Sequence, residues 1–172
     1  MPIDRRELPV YVEQPRGKWI VVSENKRAAR FHKPDKDSVL KIKVDGGLIT
    51  TGERADYIVA HPRIVDVIVE LKGSDVSKAI QQIRATRLVW LTCEFAGKRH
   101  AALVVRGKGI HPNLQTNIEK WKREFRKTFR MKLIVETRNR EYEFSEFLYP
   151  EAMHDLHDRT SEPTRRNQTN CC

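Results

Sequence analysis

The chain has 172 residues, of which 39% are hydrophobic and 33% are charged. This length suits one domain with its own hydrophobic core, and the sequence contains no run of about 20 apolar residues of the kind that spans a membrane. The net charge of +10 favours polyanionic partners, with nucleic acid ahead of an acidic membrane surface.

Changes in composition along the chain indicate its organisation. We expect a single domain over residues 1–149, in which residues 1–17 form a proline-containing N-terminal arm. Residues 150–172 are polar and without periodicity, which predicts a disordered tail. Because the first ten residues lack the apolar segment of a signal peptide, we expect the protein to be cytoplasmic.

The first third of the chain is rich in short segments with strand character. Residues 24–33 are basic and fit either a helix or a strand. Residues 39–44 (VLKIKV) alternate between apolar and basic side chains, which is typical of a strand. An Asp-Gly-Gly turn over residues 45–47 follows, residues 48–51 are a candidate return strand, and residues 55–61 predict another strand.

The strongest strand signal lies in residues 64–71 (IVDVIVEL). Alternation puts one wholly apolar set of side chains on one face, consisting of Val65, Val67, Val69 and Leu71. The other face is apolar at first and ends in charge, and it carries Ile64, Asp66, Ile68, Glu70 and Lys72. This pattern is typical of a central strand in a layered α/β sheet.

The remaining elements follow in order. Ser74 or Asp75 is the expected N-cap of a helix whose apolar positions are Val76, Ala79, Ile80 and Ile83. Residues 88–95 and 100–105 predict a β-hairpin, residues 113–130 a long amphipathic helix, and residues 131–137 a last strand. The predicted fold class is therefore α/β, with a mixed central β-sheet flanked by helices.

The charged end of the central strand is the strongest candidate site. Glu70 and Lys72 are two residues apart, so their side chains project into one space. Asp56 lies on the preceding strand and reaches the same space if the two strands pair. Clustered carboxylates repel each other unless a cation bridges them, and Mg²⁺ prefers oxygen ligands of this kind.

Simpler interpretations stand beside this one. An E-x-K triplet on a strand is commonly a surface salt bridge. Asp66 shares the face of Glu70 but lies two strand steps away, where pairing with a basic residue is the simpler interpretation. Asp45 fits turn geometry better than a metal-related role.

The longer pattern resembles the PD-(D/E)XK, or restriction-endonuclease-like, nuclease superfamily over residues 43–83. The matching positions are Asp56 in RADYIV, Glu70 and Lys72 in IVELKG, and Gln82 in KAIQQI, with Lys78 one turn before Gln82 on the same helix face. The resemblance implies a Mg²⁺-dependent nuclease in which Mn²⁺ can substitute for Mg²⁺.

The resemblance also implies roles for individual residues. Asp56, Glu70, Lys72 and Gln82 would form the catalytic centre, and Asp56, Glu70 and the backbone carbonyl of Leu71 would hold the metal. The sequence departs from the family pattern at Ala55, where the proline is absent. Glu24 is the candidate for the further acidic residue that members of the family often carry on their first helix.

A second signal is the basic stretch KWKREFRKTFRMK over residues 120–132. A solvated helix face explains this stretch as well as contact with phosphates does. If the stretch contacts phosphates, we expect the residues that bind nucleic acid to be Lys78, Arg123, Arg126, Lys127 and Arg130. The predicted partner is DNA, with a possible homodimer and no membrane. The alternatives are an inactive nuclease-fold module that binds nucleic acid or a protein, and a structural protein in which E-x-K is a salt bridge.

Overall fold

The computed structural model describes residues 8–34, 36–71 and 75–153. Lys72 and the predicted tail from residue 154 onward lie outside the described residues. The part of the N-terminal arm that is described includes a short edge strand, β1, and residues 150–153 at the start of the predicted tail are helical.

A six-stranded mixed sheet forms the centre of the protein, in the spatial order β1-β4-β5-β6-β7-β8. The pairs from β1 to β6 are antiparallel, whereas β6, β7 and β8 run parallel. The mixed α/β class and the mixed sheet are thus confirmed. The strands are β1 (Val12–Glu13), β4 (Leu40–Lys43), β5 (Tyr57–Ala60), β6 (Asp66–Glu70), β7 (His100–Val105) and β8 (Lys132–Glu136).

A separate three-stranded sheet consists of β2 (Trp19–Glu24), β3 (Arg27–His32) and β9 (Arg140–Tyr142). β2 and β3 form a tight hairpin, since Asn25 and Lys26 both have positive φ, of 46° and 66°, as a two-residue hairpin turn with matching twist requires. Residues 24–33, left open between helix and strand, are therefore mostly strand.

Two helices cover one face of the large sheet, α1 (Val76–Trp90) and α2 (Pro112–Glu124). α2 continues into a wide π-type turn, Phe125–Phe129, so the predicted helix over residues 113–130 is confirmed. Asp75 caps α1 by accepting from the backbone N–H of Lys78 at 3.1 Å. No helix in the described part of the chain is long and apolar enough to cross a membrane.

The predicted hairpin of residues 88–95 and 100–105 is wrong. α1 extends to Trp90, whose side chain is fully buried and continues the stripe of Ile83 and Thr86 at helical spacing. The strand-like appearance came from Leu88, Val89 and Leu91, which are apolar but exposed. α1 is instead the crossover that places β7 parallel to β6. Residues 48–51 likewise form a turn and not a strand.

The two faces of the large sheet contact different layers. Ile68 and its neighbours pack with α1 and α2. Val67, Val69 and Leu71 pack against β2, β3, β9 and the 3-10 turn Phe144–Phe147. The expectation of flanking helices is therefore correct for one face only. All of β6 is buried, as expected for a strand that is covered on both faces.

Candidate active site

Asp56 and Glu70 lie at the same end of two paired strands in the large sheet. The pairing of β5 and β6 ends with Tyr57 opposite Val69, and Asp56 directly precedes Tyr57 while Glu70 directly follows Val69. Only 4% of Asp56 and 2% of Glu70 is exposed. Two carboxylates thus share one buried edge, here named the Glu70 end of the sheet.

Asp56 contacts the chain on both sides of Glu70. Its backbone N–H donates to the carbonyl oxygen of Val69 at 3.1 Å, and its carboxylate Oδ2 accepts from the backbone N–H of Leu71 at 2.7 Å. A hydrogen bond to an ionised acceptor is stronger than one between neutral groups. These bonds hold the Asp56 side chain beside the last residues of β6.

Helix α1 fixes the backbone that precedes Asp56. The side-chain amide of Gln82 donates to the carbonyl oxygen of Arg54 at 2.9 Å. The hydroxyl oxygen of Thr86, which is fully buried, accepts from the backbone N–H of Ala55 at 2.8 Å. Gln82 and Thr86 are four residues apart and share one helix face. Sequence reasoning selected Gln82 and missed Thr86, although that spacing was a usable signal.

A cleft of about 330 Å³ opens beside this pair of strands. Besides Asp56 it brings together residues from β2, from the end of β4 and from the turn after β4. The lining residues are Glu24, Lys43, Asp45, Asp56 and Tyr57.

The electrostatic character of this cleft is visible in Tyr57. Burial raises the pKa of its hydroxyl, and the negative charges of Glu24, Asp56 and Glu13 raise it further. A site in which several carboxylates disfavour the formation of another anion is, by the same field, favourable for a cation.

Besides Asp56, two further acidic residues considered from the sequence thus line the cleft. Glu24, sought as the acidic residue of a first helix, lies instead at the end of strand β2. Asp45 belongs to the turn after β4, and its carboxylate also accepts from Arg54 Nε at 2.6 Å. Sequence reasoning had favoured a turn role for Asp45 and gave no role to Arg54.

The predicted metal ligands provide a small set of oxygen donors. Among the described residues, no group of three His, Cys, Asp or Glu side chains is placed to hold a metal ion by itself. The set proposed from the sequence needs only two carboxylates, those of Asp56 and Glu70, with the backbone carbonyl of Leu71. Mg²⁺ commonly binds through one or two carboxylates and keeps several waters, so this donor set suits it. Lys72 falls outside the described residues.

Asp66 lies on the same face of β6 as Glu70 but at the opposite end of that strand, here named the Asp66 end of the sheet. It is fully buried, and its Oδ2 accepts from Trp90 Nε1 at 2.8 Å and from the backbone N–H of Gly97 at 2.6 Å. Burial raises its pKa to about 6, against the lowering effect of both hydrogen bonds. Its hydrogen-bond partners are thus an indole and a backbone amide, and the basic residue that sequence reasoning expected beside it is His100, whose Nε2 lies 3.9 Å from Oδ2.

The basic residues predicted to bind nucleic acid are divided between the two ends. Lys78 is exposed in the first turns of α1, towards the Glu70 end. The other four, Arg123, Arg126, Lys127 and Arg130, are exposed around the end of α2 and the π-type turn. That turn leads into β8, which begins at the Asp66 end because Lys132 pairs with Ala101. Arg126 also forms an ion pair with Glu151 at 2.6 Å.

No protein-family model, curated protein or solved structure matches the chain. The resemblance to PD-(D/E)XK nucleases therefore rests on the sequence positions quoted above.

Proposed function

We propose that the protein is a Mg²⁺-dependent nuclease that hydrolyses phosphodiester bonds, with DNA as its substrate and a restriction-endonuclease-like arrangement of its core. The observation that carries the proposal is the placement of the Asp56 carboxylate beside the end of β6 that carries Glu70, with both residues almost fully buried. Burying two carboxylates side by side is costly unless a cation or hydrogen bonds compensate them. A catalytic metal ion bound by the two carboxylates would supply part of that compensation.

Each part of the site has a role in this proposal. Asp56, Glu70 and the Leu71 carbonyl are the metal ligands, and the bound Mg²⁺ would supply a Lewis acid that polarises the phosphodiester and lowers the pKa of a water molecule. Gln82 is a positioning residue, since its amide holds the backbone next to Asp56. Lys72 is assigned to orient the attacking water or to stabilise charge on the phosphate.

Location and assembly belong to the same proposal. We place the enzyme in the cytoplasm, and a homodimer would place two such sites on the two strands of a duplex. Sedimentation of the protein with and without a short DNA duplex tests the dimer.

Cleavage of supercoiled plasmid tests the function. We expect nicking or linearisation with Mg²⁺ or Mn²⁺ and none with EDTA. Asp56→Asn and Glu70→Gln should each lower the rate by about two to three decades, while both variants stay folded by circular dichroism. Asp66→Asn is the matched control, because it neutralises a buried carboxylate on the same face of β6 at the opposite edge.

Two results would contradict the assignment. The first is equal cleavage per folded molecule by Glu70→Gln and wild type. The second is DNA binding by wild type without cleavage under any divalent metal, which would favour the inactive nuclease-fold module. Calorimetric titration with Mn²⁺ adds an independent readout, since Asp56→Asn should lose the heat of binding and Asp66→Asn should keep it.

A further inference from the structure

A second, larger cleft lies at the Asp66 end of the sheet. It has a volume of about 700 Å³ and is enclosed by the end of α1, the π-type turn, the start of β8 and the segment after the 3-10 turn. Its polar lining is almost entirely cationic, and Glu151 is the one acidic side chain among the described lining residues. The cations are Arg87, Lys98, Arg99, Arg126, Arg130 and Lys132.

Aromatic rings hold two of the arginines in place. The guanidinium of Arg87 stacks over the ring of Phe129 at 4.8 Å, and that of Arg126 stacks over the ring of Tyr149 at 4.3 Å. A guanidinium that is stacked by its face keeps its N–H groups in the plane, where they suit the oxygens of a phosphate.

Lysines complete the cationic lining. Lys132 is fixed by a hydrogen bond from Nζ to the carbonyl oxygen of Leu148 at 3.3 Å, whereas Lys98 is exposed, as is Arg130. A concave site lined with one sign of charge concentrates the field and attracts counter-ions of the opposite sign. The arrangement therefore suits phosphate groups, which every nucleotide of a nucleic acid carries.

We infer that this cleft binds the phosphodiester backbone of a nucleic acid, as a contact surface separate from the carboxylate pair. α1 spans the distance between the two ends of the sheet, and its 15 residues correspond to about 22 Å. Arg87 and Lys98 belong to this surface although the sequence singled out neither, and Lys132, which ends the basic stretch of residues 120–132, belongs to it as well. Arg123 and Lys127, which the sequence did single out, do not line it.

The surface is concave, and its arginines are stacked and oriented, which favours a polynucleotide chain over an anionic bilayer. The inference goes beyond nuclease activity and does not require it, because binding can be measured with EDTA and no metal. Loss of cleavage in the carboxylate variants would leave the binding result intact, and failure of the binding test would leave the cleavage result intact.

The test uses the full-length protein and a fluorescein-labelled duplex of 20 base pairs, with anisotropy measured over a series of KCl concentrations. Lys98→Gln combined with Arg130→Gln should weaken binding. It should also reduce the magnitude of the negative slope of log K against log [KCl] by about 1.8, since each lost phosphate contact removes about 0.9. The control pair is Arg16→Gln combined with Lys36→Gln, which removes two charges from exposed positions outside the cleft and should leave the slope unchanged.

A gain-of-affinity variant tests the same surface with the opposite sign. Glu151→Gln releases Arg126 from its ion pair and should tighten binding and increase the slope by up to about 0.9. Glu141→Gln is its matched control, because Glu141 pairs with Arg30 at 2.9 Å and Arg30 likewise stacks on an aromatic ring, that of Trp19, at 4.9 Å. The control should change the slope little.

Three outcomes would overturn the inference. One is an unchanged slope for the Lys98 and Arg130 variant. Another is an equal loss in the two double variants, which would indicate a diffuse effect of net charge. The third is that the Lys98 and Arg130 variant loses binding to vesicles that contain phosphatidylserine but binds DNA as wild type does, which would assign the cleft to a membrane. Thermal melting of each variant identifies any that fails to fold, and Lys98→Gln alone then replaces the pair, with an expected slope change of about 0.9.

Discussion

Replacing Asp66 with asparagine should remove about 2–3 kcal/mol of pH dependence from the free energy of unfolding between pH 4 and pH 8. Asp66 is fully buried, and burial raises its pKa from 3.8 to about 6. The folded state therefore holds the carboxyl proton more tightly than the unfolded chain does. Stability from this group is fully present below pH 3.8 and is lost as the pH rises through 6.

The magnitude follows from the two pKa values. Each factor of ten in proton affinity corresponds to 1.36 kcal/mol, so the difference between 3.8 and about 6 is worth about 3 kcal/mol. Asparagine cannot ionise, and one of its side-chain atoms can still accept from Trp90 and Gly97. Part of this change falls below pH 4, so the variant should gain about 2–3 kcal/mol relative to wild type as the pH rises from 4 to 8. For a chain of this length that is a relative shift in Tm of about 4–12 °C.

Urea unfolding of both proteins, followed by far-ultraviolet circular dichroism at each pH unit from 4 to 8, measures this difference. Subtracting one curve from the other cancels the contribution of His61, whose pKa is lowered by burial. His100 Nε2 lies 3.9 Å from Asp66, and burial lowers its pKa too. The comparison is therefore repeated in a His100→Gln background. A difference curve that is flat from pH 4 to pH 8 would refute the reasoning.

Two further predictions concern the Glu70 end. Lys72→Ala should lower cleavage by about two to three decades while DNA affinity and thermal stability stay near wild type; a destabilised variant with an unchanged rate per folded molecule would make Lys72 a structural salt-bridge residue. Thr86→Val should destabilise the protein by about 1–3 kcal/mol, because it leaves the buried backbone N–H of Ala55 without its acceptor. Urea unfolding measures this loss, and Thr86→Ser, which keeps the hydroxyl, should restore most of it. No loss in Thr86→Val would show that the hydrogen bond is not needed.

Several features could be predicted from local sequence because local chemistry decides them. The alternation over residues 64–71 predicted β6, and the apolar spacing after Asp75 predicted the first turns of α1. The same alternation showed that Asp66 and Glu70 share a face. It could not show that Asp66 would be bonded by an indole and an amide, since Trp90 and Gly97 come from elements whose paths depend on the whole fold.

The misread segments show where local patterns stop being sufficient. Leu88, Val89 and Leu91 look like strand residues, yet they are the exposed side of a helix end. The helix is favoured over a strand because it places Trp90 on the buried face that also carries Ile83. Hydrophobic periodicity over such a short run fits both structures, and only burial against the rest of the protein distinguishes them.

Long-range pairing decided the rest of the candidate sites. The sequence alone determined that Asp56 and Glu70 stand at the ends of two strands and that the end of α2 is basic. Only the tertiary structure decided that the pairing of β5 and β6 brings these residues to the same end of the sheet, that Glu24 joins the cleft lined by Asp56, and that the basic turn lies at the other end. The physical reason is that helix and strand periods specify which face a side chain occupies. At which end of the sheet a side chain lies, and which residues surround it there, depends on strand order and direction. These are set by contacts between residues far apart in the chain.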